Sequence, residues 1–197
     1  MQIKPKQFIK KNLGIEDQLW LRVVETKTTR KLIGELSPAG LNCLEISGNR
    51  WKDFGFKTYK STAYPDYDVC EAPLTERYDV IIAEHVFEHL LWPYRAGKNV
   101  YEMLNEGGYL LISTPFLVRL HTAYADCSRW SETGLKYFLA ECGFPLENTS
   151  TGSWGNRACI KANFLKWVKH RGVLHSMVNE PNFPIVVWAL TKKHHAN

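Results

Sequence analysis

Tyr78–Phe116 constrains the fold of this chain more than any other stretch. It reads, in order, as a buried strand, a loop carrying acid and imidazole groups, an amphipathic helix, a Gly-Gly turn and a second buried strand. Val80, Ile81 and Ile82 make a short β-branched run, the pattern of a strand covered on both faces. Leu110, Leu111 and Ile112 repeat it after Gly107 and Gly108, which stop the intervening helix. Strand, helix and strand of this length form a right-handed βαβ unit. In such a sheet, ligands sit beyond the carboxyl ends of the strands. Glu84, His85 and Thr114 therefore project toward a site.

The flanking segments supply further elements. Ile15 to Leu36 has helical spacing, and Ser37-Pro38-Ala39-Gly40 ends it. Further strands are expected at Leu41–Ser47, Phe56–Thr62 and Tyr67–Cys70, with a late one at Ile185–Thr191. Ser131–Cys142 reads as a helix with Ser131 as N-cap and Gly143 as terminator, and Ala158–Lys169 as another. Between Glu45 and Asp68 there is no room for two full helices: the first is short (Trp51 to Phe54) and the second is absent. The whole of 1–197 is read as one domain: an arm at 1–14, an N-terminal helix within 15–40, a core at 41–144, and a loop, helix and strand at 145–197.

Bulk properties narrow the function classes. The chain has 197 residues, 45% hydrophobic and 23% charged, enough for one full core. No apolar run is long enough to span a bilayer, and the basic start lacks the apolar stretch of a secretory signal. Five cysteines with no C-x-x-C pair favour reduced thiols in the cytoplasm, and no metal is expected. A net charge of +5 without a basic, aromatic-studded stripe argues against a nucleic-acid partner.

The segments AEHVFEHL and LNEGGYLLISTPF closely resemble the class I S-adenosylmethionine (SAM)-dependent methyltransferases of the small type 11 kind. A following segment with Asp126, Arg129, Trp130, Gly134, Leu135, Gly143 and Phe144 matches the same pattern. The resemblance spans Leu41 to Phe144 and is strongest from Tyr78 onward. It implies an α/β fold: a doubly wound, mostly parallel Rossmann-like sheet, trimmed between its first and third strands, with an antiparallel C-terminal edge strand. It also implies SAM as cofactor, with S-adenosylhomocysteine as product.

A SAM site needs a glycine-rich turn after the first strand, a carboxylate for the ribose, and an acid with a backbone N–H for the adenine edge. Here the turn is degenerate: Glu45, Ser47, Gly48 and Asn49 stand where the family reads "LEiGcGtG". The ribose carboxylate would fall near Ala63, leaving Asp66 from the loop or Thr62 through its hydroxyl. Asp68 and Val69 match the adenine-reading pair, and Glu84 and His85 close the cofactor list.

At the reacting end the expected base is His121, then His85, with Asp126 orienting an imidazole or binding substrate. Glu88 and His89 read as helix-start residues. The acceptor is expected to be a small polar molecule, a saccharide or secondary metabolite methylated at oxygen, met by Arg129, Trp154 and Arg157. A homodimer is open. So is a non-catalytic module that keeps the fold and acts through protein partners, because the glycine turn is degraded.

Overall fold

Both apolar runs, Val80–Ile82 and Leu110–Ile112, lie at the centre of a six-stranded sheet. The computed structural model describes residues 15–121 and 125–194, so the expected arm at 1–14 lies outside the described residues. In chain order the elements are β1 (Ile15–Leu19), α1 (Val23–Gly34), β2 (Asn42–Ile46), β3 (Thr58–Thr62), β4 (Tyr78–Glu84) and α2 (Pro93–Met103). There follow β5 (Leu104–Pro115), α3 (Glu132–Glu141), β6 (Thr149–Trp154), α4 (Arg157–Ala162), β7 (Lys169–Arg171) and β8 (Val186–Lys192). The sheet order is β3-β2-β4-β5-β8-β6. The first four strands run parallel, and β8 and β6 are antiparallel to their neighbours.

Alternation along the central strands explains why helices cover both faces. Ile81, Ala83, Leu110 and Ile112 join Ala96 and Val100 of α2 and Leu135 and Phe138 of α3 in one core. Val80, Ile82 and Leu111 point the other way and pack with Cys43, Trp51 and Ile33 of α1. A third cluster, with Trp20, Trp154, Ile185 and Trp188, lies around the antiparallel side. The carboxyl ends of β2, β4 and β5 therefore open between two helical layers, which positions a site there.

Five expectations are corrected. Gly107 and Gly108 do not stop the helix: they lie inside β5, and α2 already ends at Met103. The N-terminal helix begins at Val23, because Ile15–Leu19 pairs antiparallel with Lys169–Arg171 and is extended. Tyr67–Cys70 is not a strand. The Asp68 carboxylate captures the Cys70 N–H at 2.8 Å, a local bond that competes with a ladder. Trp51–Phe54 is a turn rather than a helix, and the helix expected at 158–169 is only Arg157–Ala162. The antiparallel edge is two strands deep, with β6 outside β8. Other details follow the sequence closely. The Ser131 hydroxyl accepts the Gly134 N–H at 3.1 Å, and Gly143 takes φ +108 where α3 stops.

Gly155, just after β6, is sterically committed. A Cβ there would lie 2.2 Å from the Phe183 carbonyl oxygen and 2.4 Å from the Ile185 nitrogen, both backbone atoms that cannot swing aside. Gly155→Ala is expected to cost about 2–3 kcal/mol, a melting temperature lower by roughly 5–10 °C. An unchanged thermal melt would contradict this packing.

Candidate active site

The turn after β2 is closed by Glu45. Its Oε1 accepts the Arg50 N–H at 3.0 Å, and its Oε2 accepts the Trp51 N–H at 3.0 Å and the Tyr59 hydroxyl at 2.6 Å. Glu45 is thus a buried lace for the turn rather than a group facing the cleft. A Cβ on Gly48 would sit 2.3 Å from Glu45 Oε1, which explains the one glycine retained in the degenerate motif. Ser47 adopts φ +60, the left-handed conformation that glycine usually takes, and its N–H donates to the Thr62 carbonyl.

Beyond these strand ends lies a cleft of about 620 Å³, walled in part by Ser47, Thr62, Asp68, Val69, His85 and Trp92. That is within the range of small-molecule sites. Asp68 is held by the Cys70 N–H through Oδ1 only, and the Val69 carbonyl accepts from the Asn99 amide at 2.8 Å. The Thr62 hydroxyl is buried with no hydrogen-bond partner. Gly48, Asn49 and the exposed Asp66 stand outside the wall. So does Glu84, which accepts from Thr29 at 3.2 Å and pairs with Arg50 at 3.3 Å.

A second cavity, of about 160 Å³, meets the cleft at His85 and His89, which line both. His85 has φ +56, and its Nε2 lies 2.9 Å from Glu25. Glu25, from the first turn of α1, is fully buried, with Arg22 at 3.5 Å and the Ser113 hydroxyl at 2.5 Å. Burial alone would raise the Glu25 carboxyl. His85 and Arg22 more than offset that and hold it at about 2. Burial also pushes the His85 imidazole below its ordinary value, against the pull of Glu25.

Across the cavity, the Glu88 carboxylate is completely buried, and neither of its oxygens has a hydrogen-bond partner. Burial pushes its pKa up to about 7. His121 lies opposite. Its backbone N–H donates to Asp126 at 2.9 Å, its Nδ1 is 3.4 Å from the same oxygen, and its Nε2 is 3.9 Å from Glu88. Asp126 is in turn chelated by both terminal nitrogens of Arg129. Burial pushes His121 down, and Asp126 opposes it.

The structure therefore brings His85 and His121 to one cavity, with Asp126 behind His121, and Asp68, Val69, Ser47 and His85 to the adjoining cleft. Arg129 is occupied in holding Asp126. Two expected acceptor residues lie elsewhere. Trp154 is only 2% exposed, and its indole N–H donates to the Met177 carbonyl inside the third cluster. Arg157 projects to solvent and pairs with Glu180 at 2.6 Å. The stretch expected to form an acceptor loop is β6 and α4 instead, because Thr149–Trp154 pairs along β8. Sequence reasoning gave too little weight to Glu88 and His89, although both sit in the strand-end segment AEHVFEHL. Glu25 carried no local mark at all: only the fold brings α1 over the end of β4.

Among the described residues no helix is long and apolar enough to cross a membrane. No curated protein matches the chain by sequence. A methyltransferase-domain family profile matches residues 24–147. Solved structures agree in fold. A SAM-dependent methyltransferase from Thermotoga maritima, described as a possible histamine N-methyltransferase, superposes with a TM-score of 0.54 at 14% identity, covering 88% of this chain and 98% of that one. A SAM-dependent methyltransferase from Archaeoglobus fulgidus gives 0.55 at 13% identity, covering 96% and 100%. Phosphoethanolamine N-methyltransferase 2 from Haemonchus contortus, solved with SAM, gives 0.54 at 10% identity, covering 79% and 49%. With its strand-end cleft and a family match over more than half its length, the chain belongs to the methyltransferase-domain family and is a class I SAM-dependent methyltransferase.

Proposed function

We propose that this enzyme methylates a hydroxyl of a small polar acceptor, such as a saccharide or a hydroxylated secondary metabolite. The observation that carries the reading is the meeting of the two cavities at His85 and His89, one sized for a cofactor and one small, with three imidazoles and the Glu88 carboxylate facing an apolar wall that includes Val118 and Trp167. The small cavity holds the volume of about five waters at ~30 Å³ each, which suits one edge of a polar ring.

In the cleft, Asp68 and the Val69 N–H read the adenine edge. The unpartnered Thr62 hydroxyl serves the ribose in place of the usual carboxylate, and Ser47 at the end of β2 faces the methionine end. Bound there, SAM supplies a methyl group on a sulfonium, already a good electrophile. The protein's contribution is then alignment and proton removal. As the C–O bond forms and the C–S bond breaks, the acceptor's hydroxyl proton passes to His121 Nε2. Asp126, fixed by Arg129, orients the ring from its Nδ1 side.

His121→Ala tests the assignment. Methyl transfer from labelled SAM to a panel of saccharides should fall by about 10²–10⁴-fold, while affinity for S-adenosylhomocysteine is unchanged. Unaltered turnover would remove His121 from the reaction.

A further inference from the structure

We propose that Glu88, His89 and His121 form a binding site for a divalent transition-metal ion beside the cofactor cleft. Their ligating atoms lie within 4.8 Å of one another. His89 Nε2 is 3.6 Å and His121 Nε2 3.9 Å from the same Glu88 oxygen. An ion with bonds of about 2.0–2.2 Å wants its ligands about 3.0–3.5 Å apart, so the two contacts to Glu88 need to close by about half an ångström and the His89–His121 pair by up to about 1–2 Å.

Three independent features point to a cation. First, the Glu88 carboxylate is fully buried and aimed into the cavity with no hydrogen bond on either oxygen. A buried carboxylate without a hydrogen bond is costly unless something binds it.

Second, the His89 imidazole is braced on the side away from Glu88, and His121 has a carboxylate beside its far nitrogen. His89 Nδ1 sits 2.6 Å from the Ala125 carbonyl oxygen, which can only accept, so that nitrogen carries the hydrogen and Nε2 keeps its lone pair. His121 Nδ1 is 3.4 Å from Asp126 without a hydrogen bond, and its Nε2 faces Glu88. Metal-binding histidines are typically oriented by just such carbonyl and carboxylate partners.

Third, the loop that carries this second layer is pinned to the ligand segment. The Cys127 N–H donates to the Glu88 carbonyl at 2.7 Å, and Arg129 locks Asp126. His85 Nδ1, 3.6 Å from Glu88, is the nearest further donor, and the Arg22 charge on the cavity wall is taken up by Glu25.

Two imidazoles and one carboxylate suit zinc, iron, cobalt or manganese(II) rather than magnesium or calcium, which prefer all-oxygen sites. This revises the sequence expectation of no metal, which looked only at cysteine spacing. The role rests on the proposed reading of the small cavity as the acceptor site. In the metal-free protein His121 Nε2 takes the proton as above; with the ion bound it would be a ligand, and an acceptor hydroxyl acidified by coordination would release its proton to water.

The test uses the full chain stripped with chelator. Calorimetry with Zn²⁺ and visible spectroscopy with Co²⁺ should show one saturable site. The Co²⁺ spectrum should lack thiolate charge-transfer bands, which excludes the free cysteines. Affinity should follow Zn²⁺ above Mn²⁺ above Mg²⁺, and His89→Ala and Glu88→Gln should each weaken Zn²⁺ binding by about 100-fold or more. No saturable site, or affinity unchanged in Glu88→Gln, overturns the inference. If His89→Ala does not fold, the near-isosteric Glu88→Gln and the wild-type Co²⁺ spectrum still decide. S-adenosylhomocysteine binding is measured on the same samples. Cofactor binding without metal binding refutes the metal alone, whereas metal binding without transfer to any hydroxylated acceptor refutes the acceptor reading alone.

Discussion

Glu25→Ala is expected to be the most destabilising single change at the site, costing about 3–5 kcal/mol and lowering the melting temperature by roughly 10 °C. The residue is fully buried, so its removal strands Arg22, His85 and Ser113, all of which it now satisfies. The loss should be pH-dependent in a defined direction. The folded carboxyl is held at about 2 against an ordinary 4.5. Its stabilisation is therefore complete above about pH 4.5 and disappears as pH falls toward 2, a swing of about 3 kcal/mol. Urea melts from pH 7 to pH 3 should show the gap between wild type and Glu25→Ala narrowing with acid. A gap that stays constant would mean that Glu25 does not carry its charge in the folded protein.

Asp68→Ala is expected to weaken S-adenosylhomocysteine binding by about 10–100-fold, the value of a hydrogen bond to a charged group. One carboxylate oxygen already accepts the Cys70 N–H, and that bond aims the other at the cleft. Alanine loses both contacts, so its melting temperature should also drop slightly. The Asp68→Asn substitution separates the effects: the new amide oxygen can keep the Cys70 bond, while the NH₂ meets the adenine amino group donor to donor. Stability should then be retained and affinity lost. Calorimetry and melts on the pair check this, and wild-type affinity in Asp68→Asn would detach Asp68 from the adenine.

Much of the fold was legible because burial on both faces leaves its mark within a few residues. The runs at Val80–Ile82 and Leu110–Ile112 placed the two central strands, and Ser131 and Gly143 bracketed α3. Elements whose state depends on distant partners were not legible. Ile15–Leu19 carries helical spacing yet pairs with Lys169–Arg171, more than 140 residues away. Thr149–Trp154, rich in Ser, Thr and Gly, reads as a loop until β8 offers it a ladder.

The site divides the same way. His85 could be named because it follows the end of β4, where strand ends converge in a parallel sheet, whereas Asp68, Val69, His121 and Asp126 were named from the family order of segments. Trp154 and Arg157 were drawn in by composition alone, and composition cannot say which way a side chain faces. Glu25 and the bracing of His89 by Ala125 are purely tertiary facts.

The most direct measurement of the central claim is a calorimetric titration of the unmodified chain with S-adenosylhomocysteine, run beside Ala63→Trp. Ala63 lies on the cleft wall and is exposed, so an indole there should fill the space without disturbing the core. The wild type should saturate one site with a dissociation constant between about 1 μM and 1 mM, weak because the glycine turn is degenerate. The tryptophan variant should melt at the same temperature and give no heat. Silence from the wild type at millimolar ligand, or equal binding by both proteins, would contradict a cofactor seated in that cleft.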